Sequence, residues 1–236
     1  MSNLRCRNLE PVTTSTPFRI EPADIGKPRL RGRLHQYAFF VALACGLVLC
    51  SIAATRPGVA PFLSTLVYSI TVCGLFGISA LYHRRSWTER GYQIMRRMDH
   101  SMIFIFIAGT YTPFCLLLLE SGKATLMLSL IWGGALGGVA LKSIWPHLPR
   151  WVGAPLYLAL GWGAVAILPE IMQTGGVAVL VLLAAGGLIY SVGAVFYALR
   201  RPNPWPTVFG HHEFFHACTL IAAVCHHIAI YLALYA

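Results

Sequence analysis

Seven apolar runs of about twenty residues each leave this chain little choice of architecture. They fall at about 35–54, 60–83, 99–119, 124–144, 151–170, 176–199 and 211–235. A helix needs about 20 apolar residues to cross the hydrocarbon core of a bilayer. Membrane strands would instead show about ten residues of alternating polarity. The stretch from Val177 to Ala185 reads V-A-V-L-V-L-L-A-A and does not alternate. Only 11% of the 236 residues are charged, against about 25% in soluble domains. The expected fold is therefore an all-α membrane protein, a seven-transmembrane-helix bundle over residues 35–236. Residues 1–34 read as a polar, basic tail carrying Pro11, Pro17, Pro22 and Pro28. The tail has no apolar h-region, so no cleaved signal is expected, and its basic residues are expected at the lipid headgroups. The Gly133-Gly134, Gly137-Gly138 and Gly186-Gly187 pairs suit close helix packing. Seven cysteines, none in a C-x-x-C pair, read as reduced fillers.

Charge orients the bundle. With seven crossings, sixteen Lys and Arg residues fall on the N-terminal face and two, Arg56 and Lys123, on the other. The sixteen include Arg31 in the tail, Arg96 and Arg97 after the second run, and Lys142 after the fourth. Basic loops stay cytoplasmic, so the N-terminus is expected inside, the C-terminus outside, and the protein in the inner or plasma membrane. The basic patches read as topogenic and lipid-attracting. They carry no aromatic platform or recognition motif, so no nucleic-acid partner is expected.

This topology gathers the ionisable residues. His83 closes the second run, Asp99 opens the third, and His212 and His216 open the seventh. All four fall at the cytoplasmic ends of their helices. Polar groups at membrane depth are costly and usually mark function. His212 and His216 are four residues apart, so they share a helix face about 6 Å apart in depth. Three imidazoles form the ligand set of a catalytic zinc centre that keeps one position open to water. Asp99 is then a base or a water-orienting group, and Ser79, one turn before His83, a hydrogen-bonding group. The plainer alternatives are Asp99 paired with Arg96, Arg97 or its helix N-terminus, and Ser79 bonded to its own backbone. His35 and His147 read as interfacial and His211 as facing headgroups. His100 points to another side of its helix, and His226 and His227 read as structural.

The segment Ser79-Ala80-Leu81-Tyr82-His83, Asp99 sixteen residues on, and His212-Glu213-Phe214-Phe215-His216 together resemble the hemolysin III family, relatives of the progestin and adiponectin receptors and, more distantly, of alkaline ceramidases. Gly109-Thr110-Tyr111-Thr112-Pro113-Phe114 and Gly210-His211-His212 add to the resemblance, which runs from about residue 30 to the end. It implies seven helices with the N-terminus inside and zinc held by His83, His212 and His216. It also implies that Asp99 contacts the water at the zinc, that Ser79 is the serine of an S-x-x-x-H motif, and that His226 is not a ligand.

Function then has several readings. The first is a zinc-dependent intramembrane hydrolase of a lipid amide, ceramidase-like, with membrane lipids, a ceramide or a fatty acid as partners. The second is a non-catalytic lipid sensor or receptor with structural zinc. A haemolysin or cytolysin is suggested by the family name alone. A metalloprotease is suggested by the match of residues 212–216 to H-E-x-x-H, but the animal receptors carry glutamine where this chain has Glu213. Oligomeric state is not encoded in these features. The charge asymmetry generates the first prediction: a reporter fused at Met1 reads inside and one after Ala236 reads outside, and both ends on one side would refute the seven-helix count.

Overall fold

A computed structural model describes residues 28–145 and 148–236, without the Arg150 side chain. Expectations for the tail up to Lys27, and for His147, lie outside the described residues. The elements are all helical: α1 (Arg33–Ala53), α2 (Ala60–Arg84), α3 (Glu89–Leu118), α4 (Ser121–Ile144), α5 (Arg150–Trp162), a single turn α6 (Leu168–Glu170), α7 (Gly176–Leu199) and α8 (His211–Ala233). A 3-10 stretch, Gly163–Ile167, joins α5 to α6, and a π turn, Ile171–Gly175, joins α6 to α7.

By length and composition six described segments suit a membrane crossing: five single helices and the composite Trp151–Leu199 of 49 residues. The protein is thus a multi-span membrane protein. Its outer surface carries large apolar side chains, such as Phe40, Val41, Leu126, Leu130 and Leu188, each more than half exposed. In water such a surface would aggregate, whereas lipid is its natural solvent. Interior hydroxyls are satisfied locally: Thr65, Thr71, Thr110 and Thr112 each donate to a carbonyl three or four residues earlier. Each of these hydroxyls thus avoids being left bare in the dry interior.

Neighbouring helices pack in sequence order, α1 on α2, α2 on α3 and α3 on α4, while α7 lies along α8. Helix α8 also touches α1 and α3, which closes the bundle around the start of α8. Helix α5 packs on α7, α3 and α4. Of the paired glycines, Gly134, Gly138 and Gly186 face neighbouring side chains, whereas Gly133, Gly137 and Gly187 face open space. The packing role therefore falls to one member of each pair.

The main departure from the sequence reading is the start of α3. Residues 89–98 were expected in a loop, and Asp99 at the helix N-terminus. Instead Thr88 caps the helix by accepting the Gly91 N–H, and Asp99 lies ten residues inside. A hydropathy reading misses this turn because its sequence, from Glu89 to Met98, is polar and basic. An amphipathic extension beyond the hydrocarbon needs no apolar run.

The closest helix contact generates the second prediction. A Cβ at Gly109 would lie 2.0 Å from the Thr71 hydroxyl and 2.8 Å from its Cβ. Gly109→Ala should destabilise the detergent-solubilised protein by about 1–3 kcal/mol, as overpacking does. Adding Thr71→Gly should restore much of the loss in the same thermal melt.

Candidate metal centre

Three imidazoles meet where the end of α2 faces the start of α8. His83 comes from the last turn of α2, and His212 and His216 from the first two turns of α8. One ligand nitrogen from each lies within 4.8 Å of the other two. The Nε2 atoms of His212 and His83 are 3.1 Å apart. Two nitrogens bound tetrahedrally at 2.0–2.1 Å would be about 3.3 Å apart. His216 is buried and the other two are half-buried. Three neutral imidazoles converging away from water can each turn the lone pair of one ring nitrogen to a shared point. A divalent cation fits this donor set by both spacing and chemistry.

Asp99 approaches from α3, its Oδ2 4.0 Å from His83 Nε2. Ser79, buried one turn before His83, sits beside the Asp99 carboxylate. The alternative pairings do not occur among the described residues: Asp99 has no salt bridge to Arg96 or Arg97, and it is far inside the helix rather than at its N-terminus.

Glu213 takes no part in this cluster. It is fully buried, and both oxygens are used elsewhere: Oε2 accepts the Gly210 N–H at 2.8 Å and Oε1 pairs with Arg31. A carboxylate committed to a helix cap and an ion pair is a poor general base, so the H-E-x-x-H match is a structural one here.

Sequence reasoning missed what the chain before α1 does. The Arg29 N–H donates to Thr207 O at 3.0 Å and the Leu30 N–H to Val208 O at 3.2 Å. Arg31, expected at the headgroups, pairs instead with Glu213. Gly32 has φ 76°, and a Cβ there would lie 2.7 Å from His83 Cβ. Only glycine both adopts this conformation readily and leaves room for the histidine. His35, expected to be interfacial, is buried and stacks on His216 with ring centroids 3.8 Å apart and planes within 8°. Neither of its ring nitrogens has a hydrogen-bond partner among the described residues. The signal that could have found it was topology: residue 35 starts α1 at the end of the bundle where α2 finishes.

The cluster opens on a cavity of about 450 Å³. Ser79, Asp99 and all three ligand candidates line it, with an apolar body that includes Phe106, Ile107 and Leu158. His226, read from the sequence as structural, also lines it and donates from Nε2 to Leu183 O at 3.4 Å. His100 lines it too, its Nδ1 held 2.7 Å from Arg96 O. A pocket of this size, mostly apolar with a few convergent polar groups, suits a small amphiphile.

Comparison with known proteins agrees with the motif resemblance. The family model described as Haemolysin-III related matches residues 23–227. The chain is 27% identical over 186 residues to Hemolysin-3 homolog of Bacillus subtilis (strain 168), covering 79% of this chain and 84% of that relative. It is 30% identical over 158 residues to Hemolysin-3 of Bacillus cereus, covering 66% and 71% respectively. It is also 30% identical over 181 residues to Heptahelical transmembrane protein ADIPOR2 of Oryza sativa subsp. japonica, covering 70% and 79%.

The Arg31 pairing generates the third prediction. Arg31→Ala strands a buried carboxylate and should destabilise the protein by about 3 kcal/mol in a detergent melt. Adding Glu213→Gln should recover most of the loss, because the amide needs no counter-charge. Equal stability of the Arg31→Ala variant and the parent would contradict the pairing.

Proposed function

Because the chain belongs to the Haemolysin-III related family, we propose that it is an integral membrane zinc protein that hydrolyses a lipid amide, in the manner of a ceramidase. One observation carries the reading: three histidines and one carboxylate meet at one end of an apolar cavity inside a membrane bundle. His83, His212 and His216 would hold the metal. Zinc supplies Lewis acidity there and makes water a stronger nucleophile near neutral pH.

The chain's own groups perform the remaining work. The apolar cavity takes the acyl chain and excludes bulk water from the amide. Asp99 accepts the proton of the attacking water on its carboxylate and returns it to the leaving amine. Ser79 holds the Asp99 carboxylate in orientation. The products are a fatty acid and an amine, which balance the amide and one water.

We further propose that the composite segment 151–199 crosses the membrane twice, giving seven helices with the N-terminus in the cytoplasm and the protein in the cell membrane. A straight helix of that length would span about 74 Å, more than twice the hydrocarbon thickness. The packing of α7 back on α5 supports a reversal instead. The heptahelical name of the rice relative points the same way.

The test of function is Asp99→Asn in purified protein with ceramides as substrates. Metal content should be retained, because the carboxamide disturbs no imidazole. Turnover should fall by at least about 10², the usual contribution of a positioned base. Retained metal with no turnover by either form would reject hydrolysis and leave the sensor reading. Metal loss in the variant would make Asp99 a ligand and withdraw its role as base.

A further inference from the structure

Lys142 does not behave as a topogenic lysine should. It stands in the last turn of α4, where a long cationic side chain ordinarily reaches out to water or headgroups. Here it is only 5% exposed and turns inward to line the cavity. Its Nζ lies over the bare backbone of Gly153 on α5, where an added Cβ would come within 3.2 Å. Tyr157, one turn further along α5, closes the same corner and donates from its hydroxyl to His100 O at 3.3 Å.

A second cation faces the same cavity. Arg96 of α3 lines it together with Lys142, and its positive charge acts on the ammonium. Neither has a carboxylate in salt-bridge contact among the described residues, and Lys142 has no hydrogen bond there either. The cavity's carboxylate, Asp99, is turned towards His83. An enclosed ammonium without a counter-ion is unfavourable by desolvation, and a half-buried guanidinium on the same cavity wall adds repulsion. An anion between them would remove both penalties.

We propose that Lys142 and Arg96 form an anion site at the mouth of the cavity, which takes the phosphate of a membrane lipid headgroup. Two cations from two helices suit phosphate, whose several oxygens accept the planar guanidinium fork and the ammonium together. The site lies at the end of the bundle that carries the histidines, where α3 begins and α4 ends. The apolar cavity continues from it and gives the lipid's hydrocarbon a place to follow. Free phosphate shares the headgroup chemistry but gains nothing from that apolar wall. The site stands whether or not the histidine centre hydrolyses anything.

The test is a thermal melt of the full chain in non-ionic detergent with three added probes: phosphatidylglycerol, diacylglycerol with the same chains, and inorganic phosphate. A ligand that binds only the folded state raises the melting temperature by mass action. The parent should gain several degrees with phosphatidylglycerol and little with diacylglycerol. Without any probe, Lys142→Met should melt at or above the parent, because it removes an unpaired buried charge. The same variant, and Arg96→Gln, should lose the phosphatidylglycerol shift. Gly153→Ala, which keeps the charge but crowds the ammonium, should reduce the shift as well, and it serves as the test should either charge variant fail to fold. A full shift with inorganic phosphate, lost in Lys142→Met, upholds the anion site and assigns it to soluble phosphate. An equal shift with diacylglycerol, or an undiminished one in the variants, overturns the proposal.

Discussion

A buried carboxylate needs a cation, and Glu213 has Arg31. Glu213 follows His212 in the first turn of α8 and is completely buried. An ionised group there costs several kcal/mol unless it is paired and hydrogen-bonded. Arg31 and the Gly210 N–H satisfy it together. The pairing also ties the first described residues of the chain to the last helix. Once Arg31 is fixed, Gly32 lies against His83 and α1 begins with His35 stacked on His216. One ion pair thus braces two of the three candidate ligands, and Arg31 and His35 share the cavity wall with them.

That brace changes how the centre is read. The histidines are not an isolated patch at a membrane interface. The Arg29–Gly32 segment, hydrogen-bonded to residues 207 and 208, packs Gly32 against His83. The centre opens on the cavity, which Asp99, Ser79 and Arg31 also line. In the proposed hydrolysis the substrate would meet the imidazoles from this cavity, whose walls are mostly apolar.

Much of this was legible in the sequence, for physical reasons. Apolar runs must become helices in lipid, because only internal hydrogen bonds satisfy the backbone there. Hence five of the expected spans, those of α1, α2, α4, α7 and α8, agree with the helices to within a few residues, and α3 differs only by its extra turns at the start. Counting crossings then put His83, Asp99, His212 and His216 at one end before any contact was known. The rest was hidden where hydropathy carries no information. The polar turns from Glu89 to Met98 look like a loop by composition. The break before α7 was legible, because the sixth run starts at residue 176 as α7 does, but the early end of α5 at Trp162 and the 3-10 and π turns after it lie inside an apolar run that conceals them. Lys142 counted as a loop cation because sequence gives its depth but not its direction. Arg31 and Glu213 are 182 residues apart, a separation at which pattern alone reveals nothing.

The account rests on three imidazoles serving as one metal centre. The most direct measurement is the metal content of the purified full chain beside its His212→Ala, His216→Ala double variant, with X-ray absorption at the zinc edge of the parent. The parent should carry about one zinc per chain, with histidine nitrogens at about 2.0–2.1 Å, and the double variant should carry almost none. Zinc retained in full by the double variant, or a parent without metal, would contradict it.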